Sequence, residues 1–145
     1  MVVCTFFGHR DCPDIIKPKL REVLVDLIVN HGVDLFYVGQ QGAFDRIVRT
    51  VLKELASTYS HIRYAVVLER MSQKQDDLDV CDYSNTILPE GIETVPPRFA
   101  IDRRNKWMLQ QSDYVVTYVT HSVGGAAKFA AEAEKQKITI INLVL

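Results

Sequence analysis

The strongest constraint in this sequence is a regular alternation between apolar runs of strand length and longer segments with helical periodicity. Runs rich in Val, Ile, Phe and Tyr stand at Val2–Phe7, Asp34–Val38, Arg63–Leu68, Tyr114–Val119 and Ile138–Leu143. Between the first three lie two amphipathic segments. Ile15–Asn30 repeats apolar positions at Leu20, Val23, Leu24, Leu27 and Ile28, and Ala43–Thr58 does so at Ile47, Val48, Val51, Leu52 and Leu55. Further helices are expected over Phe99–Gln111 and over Gly125–Gln136, the latter rich in alanine. Parallel strands need crossover connections, and those crossovers are almost always right-handed. The alternation therefore predicts an α/β, three-layer, Rossmann-like fold: a five-stranded, mostly parallel sheet of order 3-2-1-4-5 with helices on both faces.

At 145 residues the chain has the length of one domain, and residues 1–145 are read as such. The irregular stretch is a long loop over about residues 69–98, with Pro89, Pro96 and Pro97, an acidic run from Gln75 to Asp82 and an apolar patch at Ile87-Leu88. Loops of that length inside a compact domain commonly serve as lids or binding loops. Asp76, Asp77, Asp79 and Asp82 lack the glycine and terminal glutamate of a calcium loop, so a solvated acidic segment and no metal site is expected. A net charge of -1 carries no strong nucleic-acid signal. Cys4, Cys12 and Cys81 suit neither a disulfide framework nor a zinc site. The short apolar start turns polar at Gly8-His9-Arg10, and no run approaches membrane-spanning length, so a cytoplasmic protein without membrane association is expected.

In an open parallel sheet, ligands bind outside the carboxyl ends of the strands where the strand order reverses. For the predicted order that point lies between the first and fourth strands. The loop after the first reads Gly8-His9-Arg10; the loop after the fourth runs from Thr120 through Ser122 to Gly124-Gly125. Gly124 and Gly125 let a ligand approach the backbone at the start of a helix, whose first N–H groups form a ready anion site. Thr120 and Ser122 add hydroxyls. The second strand is followed by Gly39-x-x-Gly42 and Asp45, which can bond a ribose hydroxyl or cap the helix. Arg10 suits bidentate phosphate recognition, or pairing with Asp11 or Asp14. Arg104 and Asn105 are expected near the start of the third helix, with Arg104 on an apolar face. It either reaches a ligand anion or pairs with a buried carboxylate such as Asp113. Trp107 reads as packing.

In order along the chain stand Gly8-His9-Arg10, Gly39-x-x-Gly42-x-x-Asp45, Leu88-Pro89-Glu90-Gly91, Pro97-Arg98-Phe99-Ala100-Ile101, Arg104-Asn105-Lys106-Trp107-Met108, Ser112-Asp113-Tyr114-Val115 and Gly124-Gly125-Ala126. This set resembles the YpsA-like branch of the SLOG superfamily, a Rossmann-like group that includes the DprA DNA-processing proteins and the LOG phosphoribohydrolases. The resemblance runs from about Cys4 to Leu143 and implies a pocket for a nucleotide or nucleotide-derived ligand, with no cofactor required. LOG enzymes release base from nucleoside monophosphates using a Pro-Gly-Gly-x-Gly-Thr motif and a following glutamate. Here that stretch reads Ser122-Val123-Gly124-Gly125-Ala126-Ala127-Lys128, without the proline, third glycine or threonine. Hydrolysis would need a substitute acid, for which Asp45 and Glu90 are the weak candidates. A sensor or regulatory module holding a nucleotide-type ligand is the leading expectation. An N-glycosidic hydrolase and a scaffold with a degenerate pocket are the alternatives. The apolar pieces of the long loop, with the dimers common among LOG relatives, add an expectation of homodimerisation.

Overall fold

A computed structural model of the chain describes residues 1–69 and 86–144. The acidic run and Cys81 lie outside the described residues. The elements alternate as β1 (Val2–Gly8), α1 (Lys17–Asn30), β2 (Val33–Val38), α2 (Gly42–Thr58), β3 (Arg63–Val67), β4 (Thr86–Ile87), α3 (Pro97–Gln110), β5 (Tyr114–Tyr118), α4 (Gly125–Lys135) and β6 (Thr139–Asn142). They form a six-stranded sheet of order β4-β3-β2-β1-β5-β6 in which each adjacent pair is parallel. The five expected strands keep their expected order. The sixth, β4, corrects the reading of residues 69–98 as loop: Leu68 N–H donates to Ile87 O at 2.8 Å, and Thr86-Ile87 extends the sheet at its edge. Two residues are too few to show a period of two, so only pairing with β3 reveals them.

The layers follow from the pleat. Neighbouring residues of a strand point to opposite faces, so Phe6 and Phe7 of β1 serve different cores. Phe6 packs with Phe36, with Leu20, Leu24 and Leu27 of α1 and with Val48, Val51 and Leu52 of α2. Phe7 packs with Val115, with Met108 and Leu109 of α3 and with Phe129 and Ala133 of α4; its ring stacks on Phe129 at 5.4 Å. Trp107 packs against Tyr37, centroids 5.0 Å apart, in this second layer, as expected of a packing residue. Helix α3 starts at Pro97, two residues before the expected Phe99, because proline suits the first helical turn, where its missing N–H has no intrahelical partner. Arg104 and Asn105 consequently sit about two turns into α3 rather than at its opening. Among the described residues no helix is long and apolar enough to cross a membrane.

Candidate functional site

The strand order reverses beside β1, and a cleft of about 310 Å³ opens there at the carboxyl edge. Eight of the twelve residues expected to bind a ligand line it: Gly8, His9 and Arg10 after β1, Asp45 on α2, Arg104 and Asn105 on α3, and Gly124 and Gly125 before α4. Phe6, Phe7, Ile101 and Ala126 give it apolar walls. Gly39, Gly42, Thr120 and Ser122 do not line it.

Each of those four has a different position. A Cβ on Gly39 would stand 2.8 Å from Arg104 Cζ and 2.8 Å from Asp45 Oδ2, so this glycine makes room for the cleft's floor from behind. Gly42 has φ +85° and would place a Cβ 2.7 Å from Arg10 Cα; its neighbour Ala43 donates its N–H to Arg10 O at 2.9 Å. The glycine thus lets the start of α2 lie against the loop after β1. Gly8 lines the cleft, but a Cβ there would meet the buried Phe44 ring at 2.2 Å. Thr120 is exposed and acts through its backbone, donating to His9 Nε2 at 3.0 Å. Ser122 is exposed in the same loop.

The floor is a buried polar network. Arg104, only 3% exposed, donates from Nη1 to Glu69 Oε2 at 3.2 Å. Its Nε and Nη2 donate to Asn105 Oδ1 at 3.2 and 3.0 Å. The carboxylate partner is therefore Glu69, not Asp113, which instead accepts the Val3 N–H at 3.0 Å. Asp113 follows α3 and precedes β5, on the opposite edge of the sheet, so sequence proximity to Arg104 was no guide. Gln41 donates from Nε2 to Glu69 Oε1 at 2.9 Å and accepts from Arg10 Nη2 at 3.3 Å. Arg10 accordingly contacts Gln41 rather than Asp11 or Asp14. Asp45 Oδ2 accepts the Gln41 backbone N–H at 2.9 Å, a contact at the start of α2 that is one of the two roles expected of it. Burial pushes the Asp45 carboxyl above its ordinary value; Arg104 and the Gln41 N–H pull it back, and Glu69 adds to the rise. Glu90 is exposed and is not a lining residue, so of the two candidate acids only Asp45 reaches the cleft.

Glu69 and Gln41 are the residues that sequence reasoning missed. Glu69 follows the apolar run of β3 directly, at the carboxyl edge where a charge has reason to be, but in the sequence it reads as the first residue of the long loop. Cys4 and Cys12 are buried, and burial raises both thiols, so neither is a thiolate nucleophile at neutral pH.

At the opposite wall the chemistry is open. Gly124 has φ +102°, caps α4 without a side-chain hydrogen bond, and has no atom of the described residues within 4 Å of a Cβ position; the same space is open at Gly125. The first bond of α4 runs from Lys128 N–H to Gly124 O, so the N–H groups of Gly125, Ala126 and Ala127 precede the intrahelical ladder. His9 bridges this wall to the other. Its ring stacks on His121, centroids 3.9 Å apart and 9° from parallel. Partial burial and then the His121 neighbour lower the His9 pKa.

No family model and no curated protein matches the chain by sequence. Solved structures do match by shape. DNA processing protein A, DprA, from Streptococcus pneumoniae superposes with a TM-score of 0.74 at 12% identity, covering 98% of this chain and 50% of that one. DprA from Helicobacter pylori, described for its single-stranded DNA binding mode, gives 0.70 at 13% identity, covering 97% and 64%. The chain has a DprA-like, Rossmann-like fold. It spans about half the length of the first relative and under two thirds of the second. This likeness corrects the expectation that nucleic acid carries no strong signal here. The near-neutral charge of the whole chain was the basis of that expectation, and a fold with a DNA-binding relative is a signal that net charge does not report.

Proposed function

We propose that the cleft binds a nucleotide or nucleotide-derived, phosphate-bearing ligand and that the domain serves as a sensor or regulatory module. The observation that carries this reading is the open start of α4. Unclaimed N–H groups at Gly125 and Ala126, with glycine at the approach, face a cleft into which Arg10 brings a cation. The opposite side of the same cleft is polar and acidic, which suits the uncharged part of a ligand. The residue strings that resemble the YpsA-like branch support the same ligand class.

Isothermal calorimetry with AMP, cyclic AMP and ADP-ribose tests the reading. At least one should bind, and Gly125→Asp, which sets a carboxylate at the anion site, should abolish that binding. Equal binding by the variant would show that the site is elsewhere. Chromatography of the same mixtures provides a control. Released base would move the reading to an N-glycosidic hydrolase, with Asp45 as the carboxylate in reach.

A second reading is favoured by the likeness to Helicobacter pylori DprA: the nucleotide is part of a single strand. Phe99, 50% exposed near the start of α3 with Arg98 over its ring at 4.8 Å, would offer a stacking surface on the helix that carries Arg104 and Asn105. An oligothymidylate that binds more tightly than any mononucleotide, and loses affinity in Phe99→Ala, would favour it.

A further inference from the structure

Two side chains on the cleft floor, each more than nine-tenths buried, have hydrogen-bonding capacity that no described residue uses. Asn105 is 7% exposed and its Oδ1 accepts twice from Arg104. Those two bonds fix which end of the amide faces inward, so Nδ2 is the free end, and it carries two donors. Asp45 is also 7% exposed, and its Oδ2 accepts the Gln41 N–H, which leaves Oδ1 without a partner among the described residues. Neither free atom is among the sealed, unsatisfied polar atoms of the structure, and both residues line the cleft. Both atoms therefore open onto the cleft, where a ligand group can take the place of water as their partner.

We infer that Asp45 and Asn105 form a donor–acceptor reader for the uncharged part of the ligand, with Arg104 and Glu69 as the positioning residues behind it. This rests on the reading of the cleft as a nucleotide site and assigns its parts. A phosphate is unsuited to this floor, because it offers only acceptors and negative charge to a carboxylate. Two parts of a nucleotide carry the required chemistry, a donor for Asp45 beside an acceptor for Asn105. One is a sugar hydroxyl pair; the other is an amino-bearing base edge, where an exocyclic NH₂ lies next to a ring nitrogen. Arg104, expected from sequence either to reach a ligand anion or to pair with a buried carboxylate, acts through Asn105: its Nε, Nη1 and Nη2 all donate within the floor. Gly39 is required because any side chain there would displace Arg104 and Asp45 together.

The test measures ratios of affinity, since changing a charge on the floor alters binding of every anion. AMP, 2'-deoxy-AMP and IMP are titrated into the wild-type chain and into Asp45→Asn and Asn105→Asp. Both substitutions are nearly isosteric. Each keeps an oxygen to accept the internal bond and changes the free atom. The wild type should prefer AMP by at least about tenfold over 2'-deoxy-AMP, marking the sugar, or over IMP, marking the base. Both variants should bring that ratio close to one. If the wild type binds AMP, 2'-deoxy-AMP and IMP equally, or if the variants keep its preference, the reader is refuted while the nucleotide site stands. If none of the three binds the wild type, the nucleotide reading fails and takes the reader with it. A variant that does not fold leaves the wild-type series decisive. The side-chain amide signal of Asn105 supplies a second readout on the wild type, and should shift with AMP and not with inorganic phosphate.

Discussion

The two glycine-bearing walls of the cleft look alike in sequence and differ in kind. Gly8 in the first wall, and Gly39 and Gly42 packed behind it, are glycine because protein occupies the space a side chain would need: the Phe44 ring, the Arg104–Asp45 contact and the Arg10 backbone. Gly124 and Gly125 face nothing within 4 Å among the described residues. The first wall is therefore part of the core, and its glycines are about stability. A side chain at Gly125 would meet no atom of the described residues, whereas at Gly124 the positive φ of +102° would strain any other residue. A glycine in a binding loop is informative once its neighbours are known, and the two walls should separate when stability and ligand affinity are measured side by side.

The largest effect is expected behind the first wall. Arg104→Met leaves Glu69 buried without its counter-ion and should cost about 3–5 kcal/mol in urea unfolding. A loss below about 1 kcal/mol would mean that Glu69 finds other compensation and that the floor is not held by this pair. Gly8→Ala follows. Its Cβ would fall 2.2 Å from a fully buried aromatic ring, and overpacking of that degree should cost about 3 kcal/mol by the same measurement.

The junction between the walls should respond to pH. His9 has a lowered pKa in the folded chain, so the unfolded chain binds its proton first as pH falls. Its contribution to stability is present above the ordinary histidine value of about 6.5 and is lost as pH falls through the lowered folded value. Protonation also removes Nε2 as acceptor for the Thr120 N–H. Thermal melts from pH 7.5 to 5 should show this decline in the wild type and a shallower one in His9→Gln; parallel curves would exclude His9 as the source.

The smallest stability change belongs to the open wall. Gly125→Ala places a methyl group in empty space at the first position of α4, where alanine is a good helix former, and should alter stability by less than about 1 kcal/mol. The same methyl group should weaken nucleotide binding by about tenfold or more. A variant with both stability and affinity unchanged would place the ligand away from this loop.

Much of the architecture was legible because it rests on local periodicity. The continuous apolar run of Val2–Phe7 and the period of 3.6 in Ala43–Thr58 identify strand and helix before any contact is known, and parallel connection rules then order the sheet. The switch point beside β1, and with it Gly8, His9, Arg10, Gly124 and Gly125, follows from that order. β4 escaped because two residues carry no period. Glu69 escaped because a carboxylate after a strand looks like the start of a loop until α3 brings Arg104 against it.

From residue order alone came the layers, the strand sequence and the edge that holds the cleft, since these depend on how neighbours along the chain partition between water and core. Partner choice was a matter for the folded chain. Arg104 with Glu69, Gln41 with Glu69 and His9 on His121 join residues from different elements. Their pairing is set by distances that exist only after the sheet has formed, because buried charges and polar groups must be satisfied by whatever packing brings within reach.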